Sequence, residues 1–153
     1  SVSDHIAESD EFNEQGKEAI KKSKIRAADL LLTQKHDPHT FYALINPSLM
    51  INVERIDDVK FIRNAADYMK ISRQNMKNMT NKPVQYEDVA RVELNGNEFD
   101  RHTLVHNELD YEYKTTQFCE VMNGYAVLFT IMYADDYDRK ELVRCLSSLE
   151  IKN

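Results

Sequence analysis

Residues 115–133, TTQFCEVMNGYAVLFTIMY, decide the fold. Asn123-Gly124 separates two strand-like runs, and Asn-Gly between apolar-rich runs is the strongest short-range signal of a two-residue β-hairpin. The second arm, Tyr125 to Tyr133, carries no charge in a chain that is 30% charged. Val127, Phe129, Ile131 and Tyr133 point to one side; Ala126, Leu128 and Met132 point to the other, with Thr130 as the lone polar interruption. A strand with one wet face alternates apolar and polar residues, so this strand is central and both its faces must be covered by helices.

The same chemistry recurs upstream in VARVEL-NG-NEFDRH, residues 89–102. Two-residue loops place Leu94 opposite Asn97 and Met122 opposite Tyr125. That register sets Arg91 across from Asp100 and Phe118 across from Phe129, a charge pair and an aromatic pair, which is self-consistent. A third hairpin near Glu108 to Asp110 joins the two into a meander over about 84–134. Before it, AADLLLTQK, FYALIN and LMINVERI read as short strands over about 27–56, separated by His36-Asp37-Pro38-His39 and Asn46-Pro47-Ser48.

Three helices complete the string. The first, about 3–25, has acids early and bases late, which complements the helix dipole; Ile6, Phe12, Ala19, Ile20 and Ile25 give it one thin apolar stripe. The second, about 60–80, carries Ile62, Ala65, Met69, Met76 and Met79 at helical spacing, with Asp57 or Asp58 as cap and Pro83 beyond its end. The third, about 136–149, places Leu142, Leu146 and Leu149 on one stripe. The expected fold is α+β: an antiparallel sheet of about six strands sandwiched between helices, in one domain over 1–153.

Composition narrows function. The chain has 153 residues, a 42% apolar content and a net charge of −6, which suits an acidic globular domain and argues against nucleic acid, whose phosphates need a clustered basic excess. No apolar run approaches the roughly 20 residues of a membrane helix. Three glycines, Gly16, Gly96 and Gly124, lie too far apart to build a phosphate-cradling loop, a dinucleotide fingerprint or a nucleophile elbow. The chain opens Ser-Val-Ser, which implies that an initiator or leading segment has been removed and leaves the compartment open. Cys119 and Cys145 form no CxxC pair and read as free thiols.

The candidate chemistry is sparse. His102 and His106 stand four apart on one strand, so at roughly 3.3 Å per residue they are about 13 Å apart. Two ligands of one zinc each sit about 2 Å from it, so these read as ordinary surface or half-buried histidines. His36 and His39 flank a turn that faces water. Cys119 is expected opposite about residue 98, out of easy reach of His102 for nucleophilic catalysis. Tyr111 and Tyr113, alternating with acids in DYEYK, present two rings from one strand face, as interface residues do. Tyr111, Tyr113, His102 and His106 together are the candidate binding surface, with no cofactor or metal expected.

VELNGNEFDRH, GYAVLFTIMYADD and LVRCLSSLEIK together resemble the second half of small domains in the PsbP-like superfamily, especially short lipoproteins and secreted proteins of anaerobic gut bacteria. The resemblance spans about residues 27–151, and its motifs are fold signals rather than a catalytic signature. It implies an antiparallel sheet between helices and a non-enzymatic accessory role, with no common active site to carry over. One departure is the absence, before the first helix, of a strand of the type F-x-L-x-x-P-x-G-W. The expected function is a non-catalytic binding or accessory domain of an exported or surface-anchored protein, acting on a protein or small ligand. A cytoplasmic adaptor or chaperone of the same fold, or an enzyme with a His and carboxylate pocket hidden from sequence spacing, are the alternatives.

Overall fold

The computed structural model describes residues 27–37, 45–57, 59–79, 85–108 and 111–149. The expected helix over 3–25 and most of the FYALIN run lie outside them. The described chain forms a seven-stranded, wholly antiparallel sheet and two helices. In chain order these are β1 Ala27–Gln34, β2 Ser48–Arg55, α1 Ala65–Met79, β3 Gln85–Tyr86, β4 Ala90–Leu94, β5 Asn97–Glu108, β6 Tyr111–Met122, β7 Tyr125–Tyr133 and α2 Asp136–Ser147. The spatial order is β1-β2-β7-β6-β5, and both β3 and β4 lie along the outer edge of β5.

The two Asn-Gly turns set the register. Asn95 and Gly96 have φ of 50° and 78°, Asn123 and Gly124 φ of 50° and 81°. Positive φ at both central positions matches the right-handed twist of the flanking strands. Leu94 pairs with Asn97, Arg91 with Asp100, Met122 with Tyr125 and Phe118 with Phe129, as the two-residue loops require. Arg91 reaches Asp100 at 3.5 Å and Glu98 at 3.0 Å.

Strand β7 sits between β6 and β2, pairing with β2 from Arg55↔Tyr125 to Ser48↔Met132. Alternation splits its apolar residues into two clusters. Phe129, Ile131 and Tyr133 pack with Leu49, Phe99 and Phe118, and with Leu142 and Leu146 of α2. Phe129 meets Phe99 edge-to-face, with ring centroids 5.6 Å apart. Ala126 and Leu128, on the other side, pack with Cys119, Ile56, and Ala65 and Met69 of α1. Each described helix thus covers part of one face.

Several expectations need correction. The sheet has seven strands rather than about six, because two-residue β3 adds to the β5 edge; a strand this short leaves no periodicity to read. Helix α1 begins at Ala65, not near residue 60. The cap is Asn64, whose side-chain oxygen accepts from the Asp67 N–H at 2.9 Å, while Asp67 accepts from the Arg63 N–H at 3.1 Å. Ahead of it, the Val59 N–H donates to Ile56 O and the Ile62 N–H to Val59 O. Helix α2 starts as expected, with Asp135 accepting from the Asp138 N–H.

The two turns differ in their surroundings. A β-carbon on Gly96 meets nothing within 4 Å, whereas one on Gly124 comes within 3.0 Å of Asp57 Cβ. The Gly124 carbonyl also accepts from the Ile56 N–H at 2.8 Å, which locks the turn against the end of β2. We expect Gly96→Ala to cost about 1 kcal/mol through its positive φ alone, and Gly124→Ala about 2–3 kcal/mol because steric overlap adds to the same strain. Equal losses in urea melts of the two variants would show that the Asp57 contact is without consequence. Phe129, only 5% exposed, tests the doubly covered strand. Phe129→Asp puts an unpaired charge into the α2 side of the core and should unfold the domain; a cooperative melt near that of the parent would mean this face is open.

Candidate binding site

Tyr111, Tyr113, His102 and His106 lie on one face of the β5–β6 hairpin, because residues opposite one another share a face and the register pairs His102 with Gln117 and His106 with Tyr113. His106 is opposite Tyr113 in the register, and their rings stack at 4.4 Å with an interplanar angle of 7°. Tyr113 in turn stands 6.0 Å from Tyr111, and His106 Nε2 lies 3.1 Å from Thr115 Oγ1. The three half-buried rings form a column at the far end of the hairpin. The structure therefore brings three of the four expected residues together.

His102 is the exception. It is 0% exposed rather than at the surface, because it lies on the part of this face that α1 covers. Arg73 of α1 donates through Nε to His102 Nδ1 at 3.0 Å, which leaves the ring proton on Nε2, 2.7 Å from Gln117 Oε1. Gln117 then donates to Thr130 Oγ1 at 3.4 Å. That explains the single polar residue of β7: Thr130 ends a hydrogen-bonded line running from α1 across three strands. Arg73 also donates to the Glu87 carbonyl and lies 5.2 Å from the Tyr86 ring. Tyr68 adds a 2.6 Å bond to Glu54, so α1 is tied to the sheet by polar contacts as much as by Ala65 and Met69.

Cys119 stands opposite Asp100, not about residue 98, because the β5–β6 loop closes with Glu108 opposite Tyr111. It is completely buried, and burial first, then the Asp100, Glu120 and Glu54 carboxylates, push its thiol up to about 12. A thiol in that condition is a poor nucleophile. Cys145 is exposed on α2. No group of three metal-ligating side chains occurs among the described residues. His36 is held at its backbone, exchanging bonds with the Asn46 side chain; His39 lies outside the described residues.

The opposite face holds a feature that sequence reasoning missed. A cavity of about 290 Å³ opens between α2 and the β5–β6–β7 surface, lined by Arg101, Lys114 and Arg139 and by the hydroxyls of Thr103, Thr116 and Tyr133. Its apolar walls include Val92, Leu94 and Phe118. These residues come from four strands and a helix. The only trace in the sequence is the alternation Arg101-x-Thr103 on β5 and Lys114-x-Thr116 on β6, which puts basic and hydroxyl groups on one face.

No protein family matches the chain, and no curated protein matches it. Solved structures do. The protein of unknown function PA94 from Pseudomonas aeruginosa superposes with a TM-score of 0.60 over 86% of this chain and 88% of its own, at 7% identity. The fold is shared with PA94. LpqN, involved in cell envelope biogenesis of Mycobacterium tuberculosis, gives 0.45 at 16% identity, over 76% of this chain and 66% of its own. Cyanobacterial PsbP from Synechocystis sp. PCC 6803 gives 0.37 at 15% identity, over 66% and 62%. A PsbP protein is thus among the similar structures, and neither a gut-bacterial type nor export follows from any of them.

His102 gives the site a measurable signature. Burial holds its imidazole below the usual value and the Arg73 guanidinium acts the same way, opposed by the Gln117 hydrogen bond. Its folded pKa is therefore below its unfolded one. The stability it contributes is complete above pH about 6.5 and is lost as pH falls toward the folded value, since the unfolded chain then binds more protons. The melting temperature of the parent should fall more between pH 7.5 and 5 than that of His102→Gln. Parallel curves would show that His102 does not titrate in this window.

Proposed function

We propose that this chain is a non-catalytic binding or accessory domain on a PsbP-like scaffold, its sheet layered between helices, and that it engages a protein partner through the ring column of His106, Tyr113 and Tyr111. The column carries the reading. Rings held by stacking lose little conformational freedom on contact and offer broad apolar faces with polar tips, and the two tyrosines belong to the residue types enriched in protein interfaces. They sit on the same sheet face as α1 but at the hairpin end, beside half-buried Met132 and Met50 on the neighbouring strands and exposed Leu32 on edge strand β1.

The reactive side chains support the non-catalytic part. Both ring nitrogens of His102 are engaged by protein groups, and the Cys119 thiol is buried and weakly acidic. The polar groups on this face therefore serve cohesion between α1 and the sheet. An exported or surface-anchored setting, implied by the sequence resemblance, belongs to the same proposal; a lipobox signal ahead of residue 1 in the open reading frame would support it, and a start codon directly before Ser1 would favour a cytoplasmic adaptor.

The column is tested by placing a benzophenone amino acid at Tyr111 and, separately, at exposed Glu93 on β4. Irradiation in the native cells should give one discrete crosslinked protein from position 111 and none from 93. The same products from both positions, or none from position 111, would remove the column from the proposal.

A further inference from the structure

We infer that the cavity beneath α2 is a binding site for a small organic monocarboxylate. Three observations meet there. First, Arg101 places its Nε out of solvent with no hydrogen-bond partner, and its guanidinium makes no ion pair among the described residues. Buried donors are almost always satisfied, and an orphan of this kind calls for an acceptor. The neighbouring cations are engaged: Arg139 pairs with Asp136 at 3.0 Å, and Lys114 lies 3.7 Å from Glu112.

Second, Thr103, Thr116 and Tyr133, each 4% exposed, form a chain of hydroxyls, with oxygens 2.8 Å and 3.0 Å apart. Three hydroxyls carry three protons, and two contacts use two of them. Whichever way the chain is oriented, one proton is left without an acceptor among the described residues. The cavity therefore presents donors in excess, a guanidinium and a hydroxyl, and both seek the same kind of atom.

Third, charge and shape limit what supplies that atom. Arg139 and Lys114 already have carboxylate partners in Asp136 and Glu112, and Glu87 also lines the cavity, so among the described residues there Arg101 is the one cation left to a ligand. A monoanion neutralises it, whereas a phosphate dianion reverses it. Val92, Leu94 and Phe118 give an apolar wall for a carbon body, and about 290 Å³ is at the small end of ligand sites. A carboxylate accepts from a guanidinium and a hydroxyl at once, through charge-assisted bonds. This inference is independent of the ring column, which occupies the other face of the sheet.

Benzoate and benzamide have nearly the same shape and differ in charge, so they make suitable probes, with inorganic phosphate as a third. Titrated into the full chain and followed by NMR, benzoate should perturb Arg101, Thr116 and Tyr133 saturably and bind at least about tenfold more tightly than benzamide. Arg101→Met keeps the aliphatic stem and removes the charge. It should weaken benzoate about tenfold and leave benzamide unchanged. The unliganded variant should melt no lower than the parent, because a shielded, unpartnered cation contributes nothing to the fold.

Equal affinity for the two probes, tighter binding of phosphate, or no saturable response at about 10 mM benzoate would overturn the inference. A fall in the melting temperature of unliganded Arg101→Met would do so as well, by showing that the guanidinium holds the fold together.

Discussion

The structure depends on one strand that has no wet side. Between β2 and β6, β7 satisfies its backbone on both edges, and its side chains are apolar on both faces. Everything else is placed by the need to cover them. Helix α2 brings Leu142 and Leu146 over Phe129 and Ile131, and α1 brings Ala65 and Met69 over Ala126 and Leu128. The two coverings are chemically unlike. On the α2 side the core is built from phenylalanines and leucines; on the α1 side small residues sit under the helix, and hydrogen bonds from Arg73 and Tyr68 complete the attachment.

This unlikeness follows from β6 and β7 themselves. Phe118 and Phe129 project to the α2 face, whereas Cys119, Ala126 and Gln117 project to the other. Small side chains let α1 approach closely but offer little apolar area, and burial of apolar area is the main source of stabilisation, at about 25 cal/mol per Å². Polar attachment is the physical complement, and it demands that every buried donor be met. The line from Arg73 through His102 and Gln117 to Thr130 meets that demand.

The parts of the fold legible in the sequence were the local ones. Asn-Gly fixes a turn through backbone conformation alone, so the registers of β4–β5 and β6–β7 followed from four residues, Asn95, Gly96, Asn123 and Gly124. The start of α1 was not legible in the same way, because Asp57, Asp58 and Asn64 are all competent caps and tertiary contact chooses among them. Alternation put His102, His106, Tyr111 and Tyr113 on one face, yet it could not say where along that face the helix would lie. Hence His102 was expected in reach of solvent and is buried instead. The cavity was out of reach altogether: Arg101, Lys114 and Arg139 are separated in the chain and meet only through sheet order and the return of α2.

The position of β2 carries a consequence for assembly. Strands β4 to β7 follow one another closely in the chain and pair in sequence, so that meander can form from contacts between near neighbours. Strand β2 reaches β7 only across α1 and four intervening strands, and pairings between distant segments form slowly because loop closure comes first. Until β2 docks, one edge of the most apolar strand among the described residues has no partner. An unpaired strand edge of that kind recruits other chains. The interval before β2 arrives is thus the period in which the chain is most exposed to misassembly, and the bond from Ile56 to the Gly124 carbonyl, just beyond the end of β2, marks where that interval closes.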